Sequence, residues 1–342
     1  MNTRSFPIAI AAALLLSFLD VATAKDWVTF EGKRGPGEGK HIVFLSGDEE
    51  YRSEEGLPML AKMLTRHGFK CTVLFPIKDG VIDPDTQTNI PGMAALDSAD
   101  LCVMLLRFRE LPDDQMKHFV DYLNHGKPII ALRTSTHAFA YSRNKQSPYA
   151  QFDWQSKTWP GGFGQQVLGD TWINHHGDHG KQSTRGIVND EFKSHPVLRR
   201  VGAMDIWGPT DVYSVVHLPA DAQVLVRGQV LAGMTPSDGP VEGPKNHPMM
   251  PIVWLRNYSG HEGITNKIFT TTMGAATDLQ NAALRQLLVN ACYWSVGLAD
   301  KIPKSLIGAD VMSERTVNVS NYKPSPFGFG KFKVGVKPAD LE

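Results

Sequence analysis

The chain has 342 residues, which is enough for one large domain or two small ones. Its 35 basic and 35 acidic side chains give a formal charge of zero, and the sequence contains neither a basic run nor an acidic tail. These properties argue against nucleic acid and against a strongly charged partner. They favour a small ligand of modest charge, and they leave assembly into a homo-oligomer open.

The first 24 residues predict a secretory signal peptide. Arg4 supplies a positive start, residues 8–19 are apolar apart from Ser17, and Ala22-Thr23-Ala24 is typical of a cleavage site. The apolar run is too short to span a bilayer, and an uncleaved anchor is the alternative. We therefore expect an exported protein, periplasmic or secreted, with no membrane segment after cleavage.

The cysteines predict buried thiols rather than a disulfide framework. The chain has three, Cys71, Cys102 and Cys292, and each lies inside an apolar segment. An odd number this small is not typical of a disulfide-rich exported domain. We expect inert, buried side chains.

After a Gly-rich segment that predicts a flexible leader over residues 25–40, short apolar runs alternate with helical patterns. The expected strands and helices, in chain order, are 41–47, helix 53–67, 71–75, 101–106, helix 112–125 and 128–133. This alternation predicts an α/β fold: a parallel sheet with helices on both faces.

The pattern weakens over residues 141–250, which are richer in Gly, Trp, His and Pro. It returns in AQVLVRGQVL, PIVWLRNY and KIFTTTMG, followed by a long helix from Asp278 to about Val296. Residues 303–342 predict an extended tail, for which disorder is at least as well supported as a function.

Ligands of open parallel sheets collect beyond the carboxyl ends of the strands, so the residues that follow each strand are the first candidates for a site. Asp48 and Glu49 follow the first strand, with Tyr51 close behind as a further substrate-binding candidate. The two carboxylates suit an acid, a base or a metal ligand. The alternative is that they complement the positive end of the next helix.

Arg107 and Arg109 follow the third strand. Paired guanidinium groups suit a clamp for a carboxylate or a sugar hydroxyl. An ion pair on the surface with Asp113 or Asp114 is the alternative.

Arg133, Ser135 and His137 follow the fourth strand, where related sheets carry a nucleophile on a sharp turn. Arg133 is a candidate for substrate binding and His137 for acid–base chemistry. Ser135 as a nucleophile is disfavoured, because the glycines that permit such a turn are absent. A hydroxyl that caps the following helix is the better interpretation.

The segment around Trp172, His175, His176, Asp178 and His179 concentrates imidazoles. Imidazole suits Zn, Cu, Fe or Ni, although the spacing matches no standard zinc signature. His176 and His179 are therefore only candidate metal ligands. A hydrogen-bonded turn with one imidazole facing a pocket is the alternative. We predict no cofactor, and a divalent metal stays open.

Asp211 and Tyr213 are two apart on an extended segment and so share one face. Asp211 is suited to orient His175 or His137, as a carboxylate fixes the tautomer of an imidazole. Trp172 lies in the region that holds four of the seven tryptophans, whose flat rings suit the apolar faces of sugars. A core position is the alternative, and we expect it for at least two of the four.

Six motifs resemble the trehalose-utilisation (ThuA-like) domain, in the order of that family, over about His41 to Ile302. They are GDEEYRSEE, GKPIIALRTSTHAF, GQQVLGDTWINHHGDHG, SHPVL, WGPTDVY and PIVWLRNY with KIFTTTMGA. The resemblance implies a flavodoxin-like sheet of the class I glutamine amidotransferase superfamily. It also implies a pocket built from His137, His175, His195, Asp211 and Tyr213.

Two positions separate this chain from its relatives. Arg133 stands where amidotransferases have their nucleophilic Cys, so thiolate hydrolysis of glutamine is excluded. Ala275 follows Gly274 where many ThuA-like sequences have His. The role of that His is therefore either absent from this chain or has passed to His176 or His179.

The leading hypothesis is an exported enzyme acting on a trehalose-type disaccharide or a keto-sugar. His137 and His175 supply acid–base chemistry, Asp211 tunes them, and Asp48 or Glu49 is a second carboxylate. A carbohydrate-binding protein without catalysis and a metal-dependent hydrolase are the alternatives. The enzymatic hypothesis expects the imidazoles of His137, His175 and His195 to meet at one cleft.

Overall fold

A computed structural model of the protein describes Met1 and residues 25–302, 317, 319, 321–330 and 333–342. Apart from Met1, the predicted signal peptide lies outside these residues. Within the described parts of the chain, no helix is both long enough and apolar enough to cross a membrane.

The described residues form three α-helices and twelve strands. The helices are α1 (Ser53–Thr65), α2 (Asp113–Asn124) and α3 (Ala282–Ser295). The strands are β1 (Trp27–Phe30), β2 (His41–Gly47), β3 (Lys70–Leu74), β4 (Ile77–Lys78), β5 (Val81–Ile82), β6 (Leu101–Leu106), β7 (Ile129–Leu132), β8 (Thr184–Val188), β9 (Ile206–Gly208), β10 (Gln223–Val230), β11 (Met250–Ser259) and β12 (Thr265–Thr271).

All strands except the β4–β5 hairpin join one sheet, in the order β1-β3-β2-β6-β7-β12-β11-β10-β8-β9. The central strands β3, β2, β6, β7 and β12 pair in parallel. Antiparallel strands extend the sheet on both sides. The carboxyl ends of the parallel strands therefore share one edge, where a ligand site is expected.

Helices cover both faces of the sheet, which confirms the predicted α/β fold. In β2, Ile42 and Phe44 pack with α1 and α3 on one face, whereas Val43 and Leu45 pack with α2 on the other. Successive side chains of a strand point to opposite faces, so a strand buried on both sides needs an unbroken apolar run. This requirement explains why unbroken apolar runs in the sequence correctly predicted the positions of β2, β6 and β7.

The predicted flexible leader is wrong at Trp27–Phe30, which form the edge strand β1 against β3. The rest of that segment packs on the end of α1, where the Gly37 amide donates to the His67 carbonyl at 2.9 Å. A Cβ on Gly35 would lie 2.4 Å from the same carbonyl oxygen, so only glycine fits there. Three of the glycines that suggested a loose segment, Gly32, Gly35 and Gly37, are therefore needed for close packing.

The three cysteines are free and buried, as their apolar surroundings predict. Burial raises the pKa of the Cys102 thiol and of the Cys292 thiol. A thiol with a raised pKa forms little of the reactive thiolate at neutral pH.

Met104 lies in the middle of β6 and is fully buried, whereas Met204 is 53% exposed. We expect Met104→Ala to lower the free energy of unfolding by about 2–5 kcal/mol, because the substitution leaves a cavity. Met204→Ala is the matched control and should change it by less than about 0.5 kcal/mol. Urea unfolding of both variants measures the difference, and equal losses would contradict this account of the core.

Candidate functional site

The turns at the carboxyl edge of the sheet contain non-glycine residues with left-handed backbone. These are Arg52 (φ 59°) after β2, Phe108 (φ 51°) after β6 and Arg133 (φ 41°) after β7. Such φ values are uncommon outside glycine, and strained residues cluster at functional sites. The turn after β7 is therefore sharp, although its sequence has neither a cysteine nor the glycines expected for a nucleophile turn.

Arg133 is completely buried, and its guanidinium lies between the rings of Tyr51 and Tyr213, 4.6 and 4.0 Å from their centroids. It donates to the Asp211 carboxylate at 2.9 Å and to the backbone carbonyls of Asp211 and Thr272. Tyr51 and Tyr213 are themselves almost fully buried. The prediction that these three residues contact substrate is corrected: Arg133 holds Asp211 in place, and the two tyrosine rings enclose Arg133.

Asp211 lies at the centre of the site. Its Oδ2 lies 2.7 Å from Nδ1 of His175, and its Oδ1 lies 3.0 Å from Nδ1 of His179. Burial alone would raise its pKa, but the charge of Arg133 and the bonds from both imidazoles hold that pKa well below the usual range. An ionised carboxylate can only accept hydrogen bonds, so both imidazoles carry their proton on Nδ1.

His175 and His179 present their other nitrogen, Nε2, away from Asp211. Their side chains are each 36% exposed and their ring centroids are 4.7 Å apart. Nε2 of His179 lies 3.4 Å from Oε1 of Glu50. The bond to Asp211, together with the charges of Asp211 and Glu50, raises the pKa of His179 and favours its protonated form.

Sequence reasoning missed Glu50. Its carboxylate is buried, and burial together with the neighbouring Asp48 raises its pKa. Arg107 lies on its other side, with Nε 3.8 Å from Oε2. Glu50 is the third acidic residue of the turn after β2, but the position directly after the strand favoured Asp48 and Glu49 as site candidates.

Asp48 and Glu49 are engaged elsewhere. Asp48 accepts from the amides of Glu50 and Tyr51 and from the Thr134 hydroxyl. Glu49 pairs with both Arg107 and Arg109, so the predicted arginine clamp exists, but it holds a carboxylate of the same chain. These bonds stabilise the turn and leave the Glu50 carboxylate beside the imidazole of His179.

His137 lies in an aromatic cluster next to His175. Its ring centroid is 5.0 Å from Phe108, 5.4 Å from Trp172 and 6.3 Å from both Trp154 and Tyr213. Trp172 and Tyr213 also contact His175, at 5.7 Å each. Trp159 packs on Phe152 and Trp207 donates to Ser183, so those two tryptophans belong to the packing of the fold.

Burial holds the pKa of His137 well below its ordinary value, and the positive charges of Arg107 and Arg133 lower that pKa further. The side chain is only 3% exposed. At neutral pH it is an uncharged imidazole, suited to donate or accept a hydrogen bond rather than to carry a charge.

His195 does not join the site. Its Nδ1 accepts from the Val197 amide at 3.2 Å, and its ring packs on Trp294 near the end of α3. Trp294 also contacts Lys267, near the amino end of β12. His195 is therefore at the opposite edge of the sheet, and the prediction of three imidazoles around one cleft is wrong for this residue.

Two further candidates, His176 and Ser135, are held by hydrogen bonds within the fold. Nε2 of His176 lies 2.9 Å from the Lys245 carbonyl, which turns this imidazole away from Asp211. Ser135 is fully buried, donates to the Met104 carbonyl and accepts from the Leu106 amide. Neither is suited to the metal-binding or nucleophilic role that the sequence left open.

His175, His179 and Asp211 are the described residues whose spacing suits a metal ion, with candidate ligand atoms within 4.8 Å of one another. Two imidazoles and a carboxylate are a donor set that zinc accepts. However, the buried guanidinium of Arg133 is 2.9 Å from the same carboxylate. Its positive charge repels a second cation. The donor atoms therefore suit a metal ion, but the electrostatic environment disfavours one.

Comparison with known proteins identifies the family. Crystal structures of ThuA-like proteins from Bacteroides uniformis and Parabacteroides merdae align with TM-scores of 0.48, at 16% and 15% identity. The alignments cover 78% and 75% of this chain and 94% and 90% of theirs. Curated proteins give no match. The model of the ThuA family, described as trehalose utilisation, matches residues 41–295, and the chain belongs to that family.

Proposed function

We propose that this protein is an enzyme of sugar utilisation that transfers protons with an imidazole pair, His175 and His179, held by one ionised carboxylate. The observation that carries the proposal is the pair of bonds from Asp211 to both Nδ1 atoms, at 2.7 and 3.0 Å. A carboxylate that fixes the tautomer of an imidazole prepares its other nitrogen for proton transfer.

His175 is the proposed base. With its Nδ1 proton donated to Asp211, it keeps a lone pair on Nε2. That nitrogen accepts a proton from a sugar hydroxyl, or from the carbon beside a keto group. A positioned base or acid of this kind typically accelerates a reaction by about 10²–10⁴-fold.

His179 is the proposed acid. Asp211 and Glu50 flank its two nitrogens and favour the imidazolium, which returns a proton to the substrate oxygen that becomes negative. His137, uncharged and enclosed by rings, forms the wall of the pocket beside Trp172. This assignment replaces the pair His137 and His175 expected from the sequence.

A trehalose-type disaccharide or its keto derivative is the proposed substrate. The family description supports a sugar, and Trp172 beside His175 offers an aromatic face for the apolar side of a sugar ring. The N-terminal sequence supports export, so the proposed location is periplasmic or extracellular.

His175→Ala should lower kcat on the best substrate of a disaccharide and keto-disaccharide panel by about 10²–10⁴-fold, because the base is lost. His118→Ala is the matched control. His118 also bonds a carboxylate, with Nδ1 2.8 Å from Asp97, and it is half-buried on α2, outside the candidate site. Full turnover by a folded His175→Ala variant would refute the proposal, and sugar binding without turnover by the wild type would favour a binding protein.

Glu50→Gln should move the high-pH limb of the kcat profile to lower pH. The nearby carboxylate helps to raise the pKa of His179, and the acid form of His179 is lost as the pH rises through that pKa. Without this negative charge the pKa of His179 falls, so activity is lost at lower pH. NMR titration of the His179 side chain provides a direct reading, with exposed Glu242→Gln as control. An unchanged limb would contradict the role of Glu50.

Metal removal tests the hydrolase alternative. We expect protein purified without chelator to hold no stoichiometric transition metal, and dialysis against EDTA to leave turnover unchanged, because Arg133 already neutralises Asp211. Elemental analysis decides between the two hypotheses. One bound zinc per chain, with activity lost on its removal and restored on its return, would favour the metal-dependent enzyme.

A further inference from the structure

Residues 321–330 follow the family-matched region and lie against the candidate site. The Tyr322 hydroxyl donates to the Ala276 carbonyl at 3.0 Å. The Ser325 amide donates to the Glu55 carboxylate at 2.8 Å, which attaches the segment to α1. The tail that the sequence left between disorder and function is thus docked on the fold over this stretch.

The segment is bonded to the same turn that carries Glu50. The Gly328 amide donates to the Glu50 carbonyl at 2.8 Å, and the buried guanidinium of Arg52 donates to the Gly328 carbonyl. Gly328 has a φ of 126°, which side chains other than hydrogen rarely allow. This conformation lets the next residue, Phe329, lie 4.9 Å from the Arg107 guanidinium.

Phe327 contacts His179, one of the two imidazoles. Its ring centroid is 5.6 Å from His179 and 5.7 Å from Tyr51, and the side chain is only partly buried. On the other imidazole, Trp172 is 5.7 Å from His175. Each ring in the series Trp172, His175, His179 and Phe327 is therefore a neighbour of the next one.

We propose that the C-terminal segment completes the binding site and that Phe327 is a specificity-determining residue, the platform for a second sugar ring. Trp172 receives one ring of the substrate on the His175 side, Phe327 receives the other on the His179 side, and the reacting atoms lie between them. Flat aromatic rings bind the apolar faces of sugars, so two platforms favour a disaccharide over a monosaccharide. This inference rests on the proposed function, since it assigns the ligand of the same imidazoles.

The first experiment tests the position of Phe327 without any sugar. Full-length wild type, Phe327→Ala and Val334→Ala are treated with diethyl pyrocarbonate, and acylation of His179 is followed by mass spectrometry. Val334 is the control because it is in the same tail and 83% exposed. We expect a severalfold faster reaction in Phe327→Ala only. Equal rates in all three proteins would overturn the placement of Phe327 over His179.

The second experiment measures binding of trehalose and of glucose by calorimetry. We expect Phe327→Ala to weaken trehalose binding about three- to tenfold, the equivalent of one aromatic contact, and to affect glucose less. Phe327→Trp should restore trehalose binding, and Val334→Ala should match the wild type. Unchanged trehalose affinity in Phe327→Ala would overturn the inference and leave the proposed function standing. A wild type that binds neither sugar would overturn both.

Discussion

The buried ion pair between Arg133 and Asp211 is the interaction on which the site depends. Both side chains are almost completely withdrawn from solvent, and two tyrosine rings enclose the guanidinium. Removing one partner of a buried pair typically costs about 3–5 kcal/mol, because the other charge is left uncompensated. Removal of Asp211 would also release both imidazoles, since it bonds each of them. The Arg133–Asp211 pair thus contributes both to the stability of this edge of the sheet and to the arrangement of the two imidazoles.

Arg133 lies on a strained turn and has an electrostatic function there. It follows β7 with a φ of 41°. That backbone conformation turns the side chain inward, and a long cation reaches Asp211 and the Thr272 carbonyl. The strain at this turn therefore supports electrostatic positioning instead of exposing a nucleophile.

The sequence predicted the sheet because strands buried on both faces require continuous apolar runs, as in β2 and β6. It also identified the strand ends and the segments that hold His175, His179 and Asp211. It did not predict which acid of the turn after β2 faces His179. Local backbone amides and Thr134, which is distant in sequence, bond Asp48 in the turn and leave Glu50 beside His179. The sequence could not exclude His195 from the site either. The edge of the sheet at which a residue lies depends on the topology of the fold and not on the local sequence. The structure of the leader and of the tail was not predicted for another reason. Gly-rich composition is typical of flexible chain, yet it also permits the close packing at Gly35 and the positive φ at Gly328.

The environments of the two carboxylates explain how similar imidazoles acquire different roles. Asp211 is beside a buried guanidinium and stays ionised, so it fixes both Nδ1 protons. Glu50 adds negative charge at Nε2 of His179, whereas His175 has Trp172 and Tyr213 as its other ring neighbours. The two carboxylates beside His179 favour its protonated form, whereas one carboxylate bonds His175 among the described residues. The position of Glu50 therefore distinguishes the proposed acid from the proposed base, and the turn after β2 and the docked C-terminal segment both hold Glu50.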